Sequence, residues 1–468
     1  MSIQKFLKTN KYLLLILLLG LFLRLYRYTS ESIWLDETIS IFLANQNILF
    51  IINFIDPTPP LFYILLHCWT IFGNSPQILK LLTILISTIN IVAIYLVAKK
   101  LYSKKIGIYA ALFVAVSPIN VYYAQELRAY SLLFLVSTFL IYYYLCFDNS
   151  LKSKFLYFIF FIATVYTHIY GLFIIFAIYL HKFIIKRKDY FYFSKWFKFN
   201  LILGLLSLPW FYRIYQMVLL DEAGWIQTPL PKELFFVFFQ SISGYSIFIF
   251  GIILFIVGSI LAIYSLIKQL KKSKISIEFL WILIPVFVPF ILSFCLKPFF
   301  FPRYALLINI PIYILIAYSL KDNKFFKKII FIFVFLSILV VILQSHSTLK
   351  DPWKQIDVKP PVGIIAFYEA FPYIYLNEPD CFKEKSIDAV YVCAAEREIF
   401  AVQSDYPLDP KKKYNLILSK EWLTEQDSYI AQKYIGDNST KVAYHMNNDV
   451  WIFKNMRKTN PIHVIYKN

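Results

Sequence analysis

Residues 247–267 read IFIFGIILFIVGSILAIYSLI, a run without a single charged residue. About twenty apolar residues in a helix cross the hydrocarbon core of a bilayer. Further apolar runs lie before and after this one in the chain, as at Tyr12–Leu23 and Lys328–Leu343. The chain of 468 residues is 59% hydrophobic and only 16% charged, whereas soluble domains average about 25% charged residues. We therefore predict a polytopic helical membrane protein, mainly α in fold class.

Lysine and arginine are concentrated in short breaks between apolar runs, as at Lys99–Lys105, Lys182–Lys198 and Lys321–Lys328. Cytoplasmic loops carry such an excess, so we place these breaks and the N-terminus in the cytoplasm. About eleven spans result, at residues 12–24, 77–98, 106–122, 130–146, 155–168, 171–185, 199–213, 246–267, 278–296, 303–320 and 328–344. The basic breaks account for the net charge of +19, which we read as a topology signal and not as a nucleic-acid-binding face.

The first outer loop, about 26–76, is long and contains the apolar run Leu61–Phe72. This run is too short to cross a bilayer, so we expect a re-entrant or interfacial helix there. Function is expected in this loop, because it is long and partly bound to the membrane.

The composition changes after Gln344, where the chain becomes polar and evenly charged. Strand-like stretches follow at Val362–Phe367, Ala389–Cys393, Tyr414–Leu418 and Val450–Phe453. We predict a transmembrane catalytic domain over residues 1–344 and a small extracytoplasmic α+β domain over residues 345–468. Whether Cys381 and Cys393 form a disulfide in this outer domain stays open.

Ionisable residues at membrane depth are costly, and they are therefore candidates for function. In the predicted topology they collect on the outer side, in the segments Trp34–Glu37, Asp56–Tyr63, Tyr123–Tyr130, Thr167–Gly171 and Pro302–Tyr304. Single members also have structural readings: a helix cap for Asp36, rim charges for Glu126 and Arg128, a hydrogen-bonded structural role for His168 and a snorkelling anchor for Arg303. Their joint placement at one surface favours a functional site.

Carboxylates and arginines beside lipid indicate a particular chemistry. A carboxylate can act as a general base on a hydroxyl, and arginine holds phosphate through paired hydrogen bonds. Together they suit a phosphate-bearing donor embedded in the membrane, from which a group is transferred. The sequence contains no P-loop or Rossmann glycine motif, which agrees with a lipid-linked rather than a nucleotide-linked donor.

The five segments, in their order, resemble those of bacterial glycosyltransferases of the GT-C superfamily. The similar branch is family 39, which includes protein O-mannosyltransferases and lipid A aminoarabinose transferases. Tyr123–Tyr130 reads YAQELRAY and is similar to the pattern Tyr-Ser-Gln-Glu-x-Arg-x-Tyr. The resemblance implies GT-C architecture, a polyprenyl-phosphate sugar donor, an outward-facing site and inversion at the sugar carbon. It also implies an integral protein of the bacterial inner membrane, with the C-terminal domain extracytoplasmic.

The resemblance implies roles for individual residues. Asp36 would be the base or the carboxylate that orients the acceptor, and Glu37 would assist acceptor or metal binding. Arg128 and Arg303 would hold the donor phosphate. The other implied substrate-binding residues are Asp56, Glu126, Tyr130, His168, Tyr170 and Tyr304.

One departure from the family concerns Thr58, which stands where many relatives have histidine, so a role that rests on that histidine is in doubt. Metal dependence varies in the superfamily, so a divalent ion stays open as a cofactor. The acceptor could be a lipid, a glycan or a protein. Two alternatives to a monosaccharide transferase remain: a transporter or flippase for lipid-linked sugars, and a glycan polymerase or ligase.

Overall fold

The computed structural model describes residues 3–54, 56, 58–186, 195–220, 226–246, 248–271, 276–320, 324–344, 360, 362–365, 370–402, 414–419 and 450–456. The described chain is mainly helical, which confirms the predicted fold class at this level. The helices are α1 (Ile3–Leu25), α2 (Leu35–Ala44), α3 (Ile48–Asn53), α4 (Leu61–Trp69), α5 (Pro76–Leu101), α6 (Lys104–Val116), α7 (Pro118–Ala124), α8 (Tyr130–Leu145), α9 (Leu151–Val165), α10 (Gly171–Lys186), α11 (Lys195–Leu206), α12 (Leu208–Leu220), α13 (Pro231–Ser243), α14 (Ile249–Leu270), α15 (Ile277–Leu292), α16 (Pro302–Ala305), α17 (Asn309–Ser319), α18 (Lys324–Gln344), α19 (Ala370–Asn377) and α20 (Ile387–Glu396). Short 3-10 helices cover Thr70–Phe72, Leu306–Ile308 and Pro379–Lys383.

Every predicted span coincides with one helix or with consecutive helices. Among the described residues, three helical stretches are long and apolar enough to cross a bilayer: Pro76–Leu101, Ile249–Leu270 and Pro302–Ser319. The bent pair α6 and α7 would add a fourth. Because several other apolar helices are shorter than a full crossing, the number of eleven spans stays a prediction. The run Leu61–Phe72 is also a short apolar helix, as expected.

The chain divides into two compact units, which are described separately. The first unit contains Met1–Tyr28, Ile52–Trp69 and Gln77–Ser347, and the second contains Thr29–Ile51, Thr70–Pro76 and Thr348–Asn468. The transmembrane helices therefore belong to the first unit. Much of the first outer loop groups with the C-terminal part of the chain.

Helix α14 shows how the first unit meets lipid. Its exposed face consists of large apolar residues: Ile252, Ile253, Ile256, Ile260, Ile263 and Ile267. Its buried face includes Leu254, Gly258 and Leu261. An exposed apolar face of this size is unfavourable in water and stable against lipid chains.

Helix α17 lies in the interior of the first unit, and all of its residues are buried. It packs against α6, α14 and α15. The Ser265 hydroxyl of α14 donates a hydrogen bond of 2.7 Å to the carbonyl of Leu315 in α17. This buried polar contact ties the two helices together where lipid cannot serve as a hydrogen-bonding partner.

A break separates α6 from α7, and their axes differ by 59°. Because Pro118 has no amide hydrogen, it cannot donate the usual helical bond to the carbonyl of Val114. The Ser117 hydroxyl begins the new helix by accepting a hydrogen bond from the Asn120 amide at 3.4 Å. The predicted span 106–122 is therefore two helices, and the second leads into Gln125–Ala129.

The second unit contains a four-stranded mixed sheet in the order β2-β1-β3-β4. The strands are β1 (Val362–Ile365), β2 (Ile399–Val402), β3 (Tyr414–Ser419) and β4 (Val450–Met456). Strand β1 pairs in parallel with β2 and β3, and β3 pairs antiparallel with β4. The parallel pair β1 and β2 requires a crossover, which α19 and α20 provide.

One predicted strand is wrong. Residues Ala389–Cys393 lie in α20, and the second strand begins later, at Ile399. The Ser386 hydroxyl caps α20 by accepting a hydrogen bond of 3.1 Å from the Ala389 amide. The cap and the alanines of the segment outweigh the strand preference of its valines.

Candidate active site

Asp56 organises the start of the segment Asp56–Tyr63 in the first unit. Its Oδ1 accepts a hydrogen bond from the Thr58 amide at 2.7 Å and another from the Tyr63 hydroxyl at 3.0 Å. The bond to the amide two residues later is the side-chain turn that aspartate favours. Burial raises the pKa of Tyr63 above its ordinary value, so its hydroxyl stays a donor to Asp56.

Arg128, from the segment Tyr123–Tyr130, contacts this turn. Its Nη1 donates to the Tyr63 hydroxyl at 3.0 Å, and its Nη2 donates to the Thr58 hydroxyl at 3.1 Å. The guanidinium is therefore held by two neutral oxygens, and Asp56 is connected to it through Tyr63. Thr58 serves here as an acceptor for Arg128.

Four predicted site residues form one aromatic cluster in the first unit. The His168 ring lies 4.9 Å from the Tyr304 ring, and the Tyr170 ring lies 5.6 Å from it. The Tyr130 ring stacks on Tyr304 at 6.4 Å and lies 6.1 Å from His168. The Nδ1 of His168 accepts a hydrogen bond of 3.2 Å from the Tyr170 amide, so this histidine has a structural contact within the site.

Arg303 borders the same cluster. Its guanidinium lies over the Tyr304 ring at 5.7 Å and over the Phe301 ring at 4.8 Å, within the range of cation–π attraction. Both Arg303 and Arg128 interact electrostatically with Tyr130 and with His168. Two arginines from distant parts of the chain therefore act on one set of rings.

Glu126 is buried, with 2% of its surface exposed, so it is not a rim charge. It interacts electrostatically with Tyr123 and Tyr245, whose hydroxyl oxygens lie 2.5 Å apart. The Arg128 amide donates to the Glu126 carbonyl at 2.9 Å, which closes a tight turn between the two residues. Because of this turn, the side chains of Glu126 and Arg128 interact with different groups although they are only two positions apart.

Asp36 and Glu37 lie in the second unit, in the first turn of α2. The residue that begins this helix is Trp34, without a side-chain cap, so Asp36 is not a helix cap. Two carboxylates in a first turn are favoured by the positive end of the helix dipole. Glu37 is buried, whereas Asp36 is half-buried. The structure places all the other predicted site residues in the first unit.

Sequence reasoning missed several residues of this region. Tyr63 belonged to a recognised segment but had no assigned role, and Tyr245 lies outside every recognised motif. Lys80 is buried in α5, one turn before Thr83, whose hydroxyl donates to the Ala124 carbonyl at 2.8 Å. A lone lysine in the apolar run of α5 was the available signal. Within the described parts of the chain, no three His, Cys, Asp or Glu side chains are grouped to hold a metal ion.

Residues 56–212 match the family model described as dolichyl-phosphate-mannose-protein mannosyltransferase. That range contains all the candidate residues of the first unit except Arg303 and Tyr304. None of the curated proteins matches this chain.

The fold is similar to that of two solved proteins. ArnT from Cupriavidus metallidurans, in the apo state, is 10% identical with a TM-score of 0.60, covering 95% of this chain and 98% of that one. The same protein bound to undecaprenyl phosphate gives a TM-score of 0.62, with 10% identity and the same coverage. The oligosaccharyltransferase of Archaeoglobus fulgidus, tethered to an acceptor peptide, is 14% identical with a TM-score of 0.50, covering 96% of this chain and 74% of that one. Together with the family model over residues 56–212, these similarities of fold bear out the predicted resemblance to GT-C glycosyltransferases.

Proposed function

We propose that this chain is a membrane glycosyltransferase that moves a sugar from a polyprenyl-phosphate donor to an acceptor hydroxyl. The observation that carries the proposal is the placement of two arginines in the first unit. Arg128 is held by hydrogen bonds to Tyr63 and Thr58, and Arg303 lies over the Tyr304 ring, which stacks on Tyr130. Undecaprenyl phosphate is bound by a protein of the same fold, the ArnT of Cupriavidus metallidurans, which supports the donor class. The sugar would be of hexosyl or pentosyl type.

The arginines would hold the donor phosphate. As the bond between the anomeric carbon and the phosphate oxygen breaks, negative charge grows on the departing polyprenyl phosphate. Donors already held in place stabilise such charge, typically by about 3 kcal/mol each. The hydrogen bonds from Arg128 to Tyr63 and Thr58 fix its plane before the substrate arrives. Tyr130 and Tyr304 would support the arginines, and Asp56, Glu126, His168 and Tyr170 would complete the donor site.

Asp36 would act as the base or would orient the acceptor, with Glu37 in an assisting role. The acceptor hydroxyl gives its proton to the Asp36 carboxylate, and its oxygen attacks the anomeric carbon opposite the phosphate. A new glycosidic bond forms, the bond to phosphate breaks, and polyprenyl phosphate leaves with the electron pair. Attack from the opposite side inverts the configuration at the sugar carbon. The acceptor would be a lipid, a glycan or a protein.

The location of the reaction is part of the proposal. We propose eleven spans, a cytoplasmic N-terminus and an outward-facing site in the bacterial inner membrane, with residues 345–468 as the extracytoplasmic domain. The agreement between the predicted spans and the helices supports this topology, as does the basic character of the inner breaks. A divalent ion would be a further component of the site. Whether sugar transfer requires it is tested by measuring transfer with and without a chelator.

The test is transfer of a radiolabelled sugar in membranes that contain the wild type, Asp36→Asn or Arg128→Ala. Polyprenyl-phosphate-linked sugars are supplied, and the loss of label from the lipid is followed. We expect label to leave the lipid with the wild type and at most ~1% of that rate with Asp36→Asn, since loss of a general base typically costs 10²–10⁴-fold. Full activity of Asp36→Asn would show that Asp36 is not the base.

The same assay separates the alternatives. Label that crosses the bilayer but stays on the lipid would identify a transporter or flippase and would overturn the proposal. A glycan polymerase or ligase would transfer label only from donors that carry an oligosaccharide. Release of single sugars from the lipid therefore supports the monosaccharide transferase.

A further inference from the structure

The carboxylate helix α2 belongs to the same compact unit as the C-terminal part of the chain. The segment Thr29–Ile51, which contains α2, groups with Thr348–Asn468 and not with the transmembrane helices. Asp36 and Glu37 lie in the first turn of this helix. The position of both carboxylates therefore depends on what holds α2 within the second unit.

The C-terminal part of the second unit, Thr348–Asn468, is called the tail. Two contacts connect it to α2 and to Gln46, which lies two residues beyond the end of α2. The Phe42 ring meets the Phe371 ring of α19 edge-on at 6.0 Å, and both side chains are buried. Beyond the end of α2, the Gln46 Nε2 donates a hydrogen bond of 2.8 Å to the carbonyl of Glu384. Both contacts have preferred geometries, so each restricts where α2 lies within the second unit.

Phe371 is itself held by the tail. Its ring lies 4.8 Å from Phe382 and 5.5 Å from Tyr391. Phe382 follows Cys381 in the 3-10 helix, and Tyr391 lies two positions before Cys393 in α20. A disulfide joins Cys381 to Cys393. The disulfide therefore joins the two segments whose rings, Phe382 and Tyr391, contact Phe371.

A further contact fixes the other part of the first outer loop in this unit. The Tyr375 hydroxyl of α19 donates a hydrogen bond of 3.1 Å to the carbonyl of Asn74. Helix α19 thus contacts the outer loop at two places, through Phe371 and through Tyr375.

We infer that the disulfide-braced tail is the platform that positions the Asp36–Glu37 helix, with Phe371, Gln46 and the Cys381–Cys393 disulfide as positioning residues. The catalytic consequence rests on the function proposed above. None of these residues touches the reacting atoms, so their effect is on the placement of the carboxylates. A misplacement of about 1 Å can cost about 10²-fold in rate.

The first experiment needs no substrate. Hydrogen exchange of the α2 amides is compared in the purified full chain, for wild type, Phe371→Leu, Gln46→Glu and the double variant Cys381→Ser with Cys393→Ser. Gln46→Glu keeps the size of the side chain but removes its donor. We expect exchange in Leu35–Ala44 to rise by about 10-fold or more, while the α5 and α17 amides keep their protection.

The matched control is Lys383→Ala. Lys383 lies in the same 3-10 helix as Cys381, beside Glu384, but it only forms an exposed ion pair of 2.7 Å with Asp380. We expect this variant to exchange like the wild type. Unchanged α2 exchange in the positioning variants would overturn the inference. Loss of protection in α5 and α17 as well would also overturn it, because the tail would then support the whole fold.

The second experiment measures transfer. In the positioning variants we expect kcat to fall about 10-fold or more, with the affinity for polyprenyl phosphate within about threefold of wild type. A loss confined to donor affinity would contradict a role through the carboxylates. If the wild type transfers no sugar, the proposed function fails, whereas hydrogen exchange still decides whether the tail holds α2.

Discussion

Arg24 of α1 caps the end of α6, and Gln125, the residue that follows α7, caps the end of α1. The Arg24 guanidinium, fully buried, donates to the carbonyls of Val114 and Ala115 at 3.2 and 3.0 Å, at the end of α6. The Gln125 Nε2 in turn donates to the Arg24 carbonyl at 2.9 Å, at the end of α1. Carbonyls at helix ends lack partners within the helix, and here two side chains supply them. The turn that carries Glu126 and Arg128 is anchored by these hydrogen bonds.

Replacement of Arg24 by lysine is expected to destabilise the first unit. Arg24 also donates to the Ser87 hydroxyl at 2.9 Å and to the Gly20 carbonyl at 3.0 Å, and one ammonium group cannot reach all four acceptors. Buried acceptors without donors cost roughly 1–3 kcal/mol each. Thermal unfolding in detergent measures the loss. The control Arg213→Lys affects hydrogen bonds to Gln216 and Asn53, of which the second is exposed, and should unfold like the wild type.

Arg128→Lys is expected to weaken donor binding, because lysine keeps the charge but cannot bond Tyr63 and Thr58 in one plane. We predict about 10-fold weaker binding of polyprenyl phosphate, measured on purified protein. In a double-mutant cycle, Tyr63→Phe should add little on top of Arg128→Lys, because the tyrosine acts through the arginine. Fully additive effects would show that Tyr63 and Arg128 act independently.

Thr58→Val removes the hydroxyl that accepts from Arg128 Nη2 at 3.1 Å and keeps nearly the same volume. We expect donor affinity to fall about fivefold, the equivalent of about 1 kcal/mol for one hydrogen bond. Thr58→Ser keeps the hydroxyl and should bind the donor like the wild type. Equal affinity of the valine variant would show that Thr58 does not hold the arginine.

Alkaline pH is expected to weaken the second unit through Tyr375. Burial raises the pKa of this tyrosine from 10.0 to about 12, so the folded state keeps the phenol protonated and bonded to the Asn74 carbonyl. The protonated Tyr375 stabilises the second unit fully below pH ~10, the pKa of tyrosine in the unfolded chain. This stabilisation is lost as the pH rises through about 12, the pKa in the folded protein. The measurement is unfolding of the wild type and of Tyr375→Phe between these values. If the wild type and Tyr375→Phe lose the same amount of stability, groups other than Tyr375 cause the loss.

The composition and the order of the motifs predict the helices of the first unit and most of the candidate site residues. Apolar runs gave the helices because a bilayer demands about twenty apolar residues and full backbone hydrogen bonding. The motif Tyr123–Tyr130 pointed to Glu126, Arg128 and Tyr130. All three lie in the first unit, and the Tyr130 ring contacts the His168 and Tyr304 rings. The segment Ala389–Cys393 was misread, since valines in a short run do not separate strand from helix.

The sequence by itself determined the class of the protein, its helical runs and most candidate residues, because hydropathy and charge are properties of residues taken one at a time. Only the tertiary structure decided which groups meet. It joined Arg128 to Tyr63 and Thr58, brought Arg303 to the rings that Arg128 also affects, and assigned α2 to the same unit as the tail. Such pairings depend on how helices distant in sequence pack, and short-range patterns do not encode that packing.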